Sequence, residues 1–275
     1  MSPIVIIAGK ELRDGFRNRW VVATTVLLAA LALTLAFLGS APTGSVKVSA
    51  LGVTIVSLSS LTIFLVPLIA LLLSYDAIVG EAERGTMALL LAYPVARWQI
   101  VLGKFIGHLA VLGCATTLGY GVVGIVVQWA GGDDGGPWLA FATMIATSIL
   151  LGGVFIAIGY LVSAIVRDRG AAGGVAIGVW LFFVLIYDMA LLGALVADQG
   201  RNLTAGGLNL LLLLNPADVY RLINLTSTPN VSALAGVAGL GAAAGLNVGL
   251  LLGVLIAWIV APLAAATAAF ARRPA

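Results

Sequence analysis

Charge is what this chain has least of. Only 9% of its 275 residues are Asp, Glu, Lys or Arg, while 61% are hydrophobic. Mean hydropathy is +1.15. A soluble domain is about a quarter charged, so a water-soluble fold is excluded and the bilayer is the solvent. Cysteine occurs once, at Cys114, which rules out a disulfide framework within one chain. Cys114 reads as a small buried apolar residue. Histidine also occurs once, at His108. A single histidine excludes the H-E-x-x-H pair of an intramembrane metalloprotease. No serine is recognisably activated either, and His108 reads as an interfacial polar residue. Met87, Met144 and Met189 are scattered, too sparse with one Cys and one His to line a soft-metal path. The G-x-x-x-x-G-K-[ST] phosphate loop is missing: Lys10 is followed by Glu11 and Lys104 by Phe105. If ATP drives this protein, a separate polypeptide binds it. A cleavable leader is not expected, because residues 1–20 carry four basic and two acidic residues and no apolar core. The net charge of +3 is not a nucleic-acid signal, since the basic residues flank apolar runs.

What the chain has instead is long, continuous apolar runs. They do not alternate, which favours helices over a β-barrel. An all-α integral membrane protein follows, with six transmembrane helices expected at about 20–38, 51–74, 101–130, 138–166, 171–196 and 243–270. The whole reads as one transmembrane domain, 1–275. Pro67 interrupts the second run and predicts a kink. Residues 1–19 predict an interfacial helix lying on the membrane lipid, with Ala8, Leu12, Phe16 and Trp20 as its apolar stripe. Residues 198–241 form a more polar segment. Its apolar run Leu208–Leu214 is too short to span, so a re-entrant or interfacial piece is expected.

Six spans put both termini on one side. That side holds eleven of the fourteen basic residues, leaving Lys47, Arg201 and Arg221 opposite. The positive-inside rule then makes both termini cytoplasmic, along with 75–100 and Arg167-Asp168-Arg169, and puts 198–241 outside. Small residues recur at fourth positions: Gly241, Gly245, Gly249 and Gly253; Gly170, Gly174 and Gly178; Gly103 and Gly107. Such rows let helices approach closely, within one chain or across a dimer. One acid is intramembrane. Asp188 lies about 12 Å from the outer end of its span and costs at least about 2.5 kcal/mol there unless it meets protein or water. It reads as a gate or polar pair, or else as a sign that the span ends sooner; Tyr187 and Gln128 are candidate partners. The N-x-[ST] matches at Asn202, Asn224 and Asn230 read as chance.

The longest charged break, Tyr75 to Lys104, carries the most specific signal. Gly80-Glu81, Gly85-Thr86, Leu89-Leu90-Leu91, Tyr93-Pro94, Arg97 and Gly103-Lys104-Phe105 resemble the ABC-2 class of exporter permeases. A narrower likeness runs from residue 8 to residue 225. Ala8-Gly9-Lys10-Glu11-Leu12, Arg17-Asn18-Arg19-Trp20, Pro67 to Leu73, Tyr75 to Glu81 and Leu214 to Leu225 are similar to the Nos-type permeases. Those are the membrane subunits of an ABC complex that matures the copper sites of nitrous oxide reductase.

The resemblance implies a type V-like exporter fold with an N-terminal interfacial helix, a cytoplasmic coupling helix around Glu81–Leu91 and an external re-entrant segment. It implies a homodimer in the bacterial inner membrane, a cytoplasmic ABC ATPase subunit, and a periplasmic copper-handling β-helix protein. No cofactor or catalysis of the chain's own is expected. Glu81, Glu83, Arg84, Thr86, Met87, Leu90, Pro94 and Arg97 become the expected ATPase-coupling residues. Glu81, Glu83 and Arg84 would pair with partner charges. Arg167, Asp168 and Arg169 form a second cytoplasmic contact. Asn215, Asp218, Tyr220 and Arg221 form the external contact. A substrate crosses the dimer, or the spans pass motion to the external partner; scarce soft ligands favour the second. The alternatives are an ABC-2 exporter of a drug or lipid, a proton-coupled secondary transporter using Asp188, and a structural membrane anchor.

Overall fold

A computed structural model describes residues 2–17, 19–39, 50–131, 137–198, 204–226 and 246–273. Every regular element among them is helical. In chain order these are α1 (Pro3–Arg17), α2 (Arg19–Gly39), α3 (Ala50–Ser74), α4 (Val79–Glu83), α5 (Thr86–Leu91), α6 (Arg97–Gly131), α7 (Trp138–Ile165) and α8 (Arg169–Leu181). A π-helical turn, Phe182–Ile186, joins α8 to α9 (Tyr187–Asp198). Then come α10 (Ala205–Leu213), α11 (Pro216–Thr226) and α12 (Val248–Ala271).

Five helical stretches are long and apolar enough to cross a membrane: Thr54–Glu83, Arg97–Trp129, Trp138–Ile165, Arg169–Asp198 and Val248–Ala271. The protein is therefore a multi-pass membrane protein. The remaining expected span falls on α2, which is apolar through Thr25–Thr34. Helix α12 starts at Val248, where the Asn247 side chain accepts from the Gly249 amide at 2.9 Å. Residues 243–245 of that expected span lie outside the described residues, as do Pro42, Gly44, Lys47, Asp133, Asp134, Arg201, Asn202, Asn230, Gly241 and Gly245.

Helix α7 is the hub. Of its most apolar window, 72% is buried, against 17% for Arg169–Asp198 and for α12. It is flanked by α3, α6, α11 and α12. Two of its buried glycines, Gly152 and Gly159, sit where an added Cβ would collide with Leu112 and Ser74. The Trp180 indole donates to the Phe64 carbonyl at 2.9 Å, tying α8 to α3 in the turn before Pro67.

The small-residue rows divide. Gly103 and Gly107 take α1 against α6: a Cβ on Gly103 would lie 2.9 Å from that of Ile7, and one on Gly107 would lie 2.5 Å from that of Glu11. Here the spacing serves packing within the chain. At Gly174, Gly178 and Gly253 nothing lies within 4 Å of the added atom, so those faces are open. The face that α1 turns toward α6 is a different one from the expected stripe. Ile7 and Glu11 are buried, while Phe16 is 51% exposed. The ion pairs that Glu11 finds on α6 let a charged residue face inward.

Of the segment 198–241, expected to be re-entrant or interfacial, the described residues 204–226 hold two helices, α10 and α11. Thr204 caps α10 through the Gly207 amide at 3.2 Å. Asn215 then accepts from the Ala217 amide at 3.0 Å, and Pro216 takes the first helical position of α11. Helix α11 inserts among α3, α7 and α12. Its Ala217, Asp218, Val219, Tyr220, Leu222 and Ile223 are all buried. Asn224 is buried too and donates to Thr147 at 3.0 Å, so it is no glycan acceptor in this fold.

Candidate functional site

The segment between α3 and α6 folds back onto the bundle. At the start of α4 the Ile78 and Val79 amides both donate to the Ser163 hydroxyl of α7, each at 3.0 Å. These are orphan amides of a helix N-terminus, and one serine satisfies both. The expected single helix is two. Gly85 adopts φ +73 between α4 and α5, a conformation costly for any residue with a Cβ. Thr86 closes the break by donating its hydroxyl to the Glu81 carbonyl at 3.3 Å.

Glu81 was expected to face a partner. It is buried instead, and its carboxylate lies 2.7 Å from Lys104 Nζ. The same ammonium lies 2.7 Å from Glu11 of α1. Lys104 is only 3% exposed, so it belongs to these two carboxylates and not to solvent. Glu11 also meets His108 Nε2 at 3.5 Å, and His108 Nδ1 meets the Tyr160 hydroxyl at 2.9 Å. Lys104 and His108 are four apart and share one face of α6, while Gly103 and Gly107 bring α1 within reach. Burial alone would raise the Glu11 carboxyl. The hydrogen bond from His108 and the Lys104 ammonium outweigh it and hold the group well below the ordinary carboxylate range.

The other expected coupling residues divide between anchors and surface. Glu83 accepts from the Arg169 amide at 2.7 Å, and the Arg169 side chain pairs with Asp76 at 2.9 Å. Asp168 caps α8 through the Ala171 amide at 2.7 Å. The two expected cytoplasmic contacts are thus one assembly. Arg97 donates to the carbonyls of Phe270, Ala271 and Arg273 at 2.7, 3.0 and 2.7 Å, capping α12 and stacking on Phe270. Arg273 in turn donates to Ser163 and Val166 carbonyls. Met87 is buried inside the chain and Leu90 half-buried. Arg84, Leu89, Tyr93, Pro94 and Arg167 are exposed. A cavity of about 120 Å³ separates α5 from the end of α12, lined by Ala82, Met87, Ala88 and Phe270 among others.

The second polar centre lies at the other end of the bundle. Asp188 pairs with Arg221 at 2.9 Å, not with Tyr187 or Gln128 as expected. The Tyr187 hydroxyl donates to the Leu211 carbonyl at 2.7 Å. Arg221 also holds Asp218 at 2.6 Å, and Asn215 donates to Asp218 and to the Phe183 carbonyl of the π-helical turn, both at 3.0 Å. Burial pushes the Asp218 carboxyl up to about 7 against the pull of Arg221, with Asp188 adding to the rise. Asn215, Asp218 and Tyr220 were expected to face an external partner. They are at most 1% exposed, because α11 is inside the bundle; of the four, Arg221 alone reaches the surface. Nearby, buried hydroxyls pair across helices: Thr62 with Tyr120 at 2.8 Å, and Ser148 with Tyr220 at 3.0 Å. Along α7 every residue between Ser148 and Tyr160 is apolar or glycine, a stretch of about 18 Å.

Glu11, Asp76, His108, Tyr160 and Ser163 were not picked out from sequence as site residues. The i,i+4 pair Lys104 and His108 beside a glycine pair was the available signal.

The model of the ABC-2 family transporter protein matches residues 5–274. A probable ABC transporter permease protein NosY of Stutzerimonas stutzeri is 45% identical over 275 residues, covering 99% of each chain. Its counterpart in Pseudomonas aeruginosa strain PAO1 is 45% identical over 276 residues, covering the whole of both.

Proposed function

The chain belongs to the ABC-2 transporter family as a permease subunit, and from that premise we propose that it transmits the motion of a cytoplasmic ATPase to an outer partner. The observation that carries this reading is the anchoring of 75–100. That segment is fastened to α7 through Ser163, to α8 through Arg169 and to α12 through Arg97. Force applied to it reaches three spans without an intervening flexible loop. Its exposed face, with Arg84, Leu89 and Tyr93, is the ATPase-facing side. The cavity behind α5 gives that helix room to move.

In this reading α2 is a sixth span and α1 lies in the inner-leaflet headgroups. Both termini are cytoplasmic, in the inner membrane. The open glycine faces of α8 and α12 suit a second copy of this chain. The apolar stretch of α7 between the two polar centres favours transmission over conduction through one protomer. As the resemblance to the Nos-type permeases implies, the task is maturation of nitrous oxide reductase, and the external partner is a copper-handling protein meeting Arg221 and the exposed Leu210 and Leu214.

The test is co-purification with the cognate ATPase in nanodiscs. Arg84→Glu with Leu89→Asp should abolish ATPase co-purification and stimulation while the chain still inserts. Unchanged stimulation would reject the coupling role. ATP-dependent copper or sulfur uptake by vesicles would reject pure transmission.

A further inference from the structure

Two buried carboxylates share one buried ammonium at the cytoplasmic end of α6. Glu11 comes from the interfacial helix, Glu81 from the coupling segment, and Lys104 stands between them at 2.7 Å from each. Three elements distant in sequence therefore meet at one atom. The contact is not a surface ion pair of little consequence, because all three residues are at least nine-tenths buried. Nor is it evenly satisfied. Glu11 uses both oxygens, one toward Lys104 and one toward His108. Glu81 uses only Oε1; its Oε2 is buried and has no hydrogen-bond partner. An unpaired buried acceptor costs free energy, so Glu81 leans on Lys104 alone for its charge pairing. Glu81 is therefore the less fully paired of the two carboxylates, and it lies on the segment between α3 and α6.

We propose that Lys104 is the positioning residue of the coupling machinery. It holds α4 to α6 and α1 at once, so that displacement of α4 is passed to the span and to the interfacial helix through Glu81–Lys104–Glu11. The inference rests on the coupling role argued above and adds which atom carries it. His108 ties the Glu11 side to α7: its Nε2 faces Glu11 while Nδ1 meets Tyr160, so displacement that reaches Glu11 is shared with α7. Both links are 2.7 Å long, so Lys104 is shared evenly between the two helices it joins to α6.

The experiment uses the complete permease–ATPase complex in nanodiscs. Glu81→Gln and Lys104→Gln should each lower the permease-stimulated kcat for ATP hydrolysis about tenfold, a coupling factor typical of linked sites. KM for ATP should stay within about twofold, because the nucleotide site is untouched. The double variant should be no worse than Lys104→Gln alone, as expected for two residues acting through one contact. Lys104→Arg should restore stimulation, since a guanidinium can serve two carboxylates. If Lys104→Gln does not fold, Glu81→Gln decides, because it leaves Lys104 paired with Glu11. Unchanged kcat in Glu81→Gln, or additive losses, would overturn the proposal. Arg84→Glu with Leu89→Asp runs in parallel. If that surface variant uncouples and Glu81→Gln does not, the junction falls and the coupling role stands. If the surface variant has no effect, the coupling role itself falls.

Discussion

Adding one methyl group at Gly107 should detach α1 from α6. The Cβ of Gly107→Ala would lie 2.5 Å from Glu11 Cβ and 3.0 Å from the Ala8 carbonyl oxygen. Both obstacles belong to α1 near its backbone, so no flexible side-chain tip can swing aside. Helix α1 must withdraw by about 1 Å to regain ordinary contact. The Glu11–Lys104 bond, now 2.7 Å, then stretches past the hydrogen-bond limit of about 3.2 Å. Overpacking costs about 1–3 kcal/mol and the lost charge-assisted bond about 1.5–3 kcal/mol; together about 2.5–6 kcal/mol is withdrawn from α1 docking. The loss is local, because α1 is held chiefly by α6. Hydrogen–deuterium exchange in nanodiscs should show protection of residues 3–17 reduced at least about tenfold, with α7 unchanged. Gly9→Ala, on the same helix, is the control. Nothing lies within 4 Å of its added Cβ, and alanine gains about 0.8–1 kcal/mol of helix propensity over glycine. Its protection should hold or rise. Equal protection in Gly107→Ala and wild type would refute the packing argument, and so would equal losses in both variants.

Two further outcomes are expected. Ser163→Ala removes the acceptor of the Ile78 and Val79 amides. It should destabilise the start of α4 by about 1–3 kcal/mol per orphaned amide, read as faster exchange in residues 75–83 and weaker ATPase stimulation. Asp218 has a folded-state pKa of about 7 against an ordinary 3.8. The folded state therefore binds the proton more tightly, so stability is highest below the ordinary value and declines as pH rises through about 7. Asp218→Asn should flatten that decline in thermal unfolding followed by tryptophan fluorescence. An equally steep decline in the variant would remove Asp218 as its source.

Much of the architecture was legible because hydropathy is a local property. Expected spans at 51–74, 101–130, 138–166 and 171–196 have ends within about four residues of those of the helical stretches Ala50–Ser74, Arg97–Gly131, Trp138–Ile165 and Arg169–Asp198. The role of Glu81 was not legible. It lies in a charged loop where outward exposure is the default, and its partner is Lys104, twenty-three residues later. Glu11 lies outside the apolar stripe expected on residues 1–19, and nothing in its neighbours along the chain marks it as buried. Only the approach allowed by Gly103 and Gly107 turns it inward. Asp188 was recognised as needing a partner, but Arg221 stands thirty-three residues away on a helix expected to face outward.

The sequence by itself determined the solvent, the helical class, the lack of a phosphate loop and the family motif in 75–104. Each follows from composition or from residues adjacent in the chain. Tertiary structure alone decided which charges are surface and which are joints. It placed Glu11, Glu81, Lys104 and His108 in one buried cluster, and Asp188, Arg221 and Asp218 in another. The reason is that pairing a buried charge depends on distance in space, and helix crossings bring together residues that no periodicity relates.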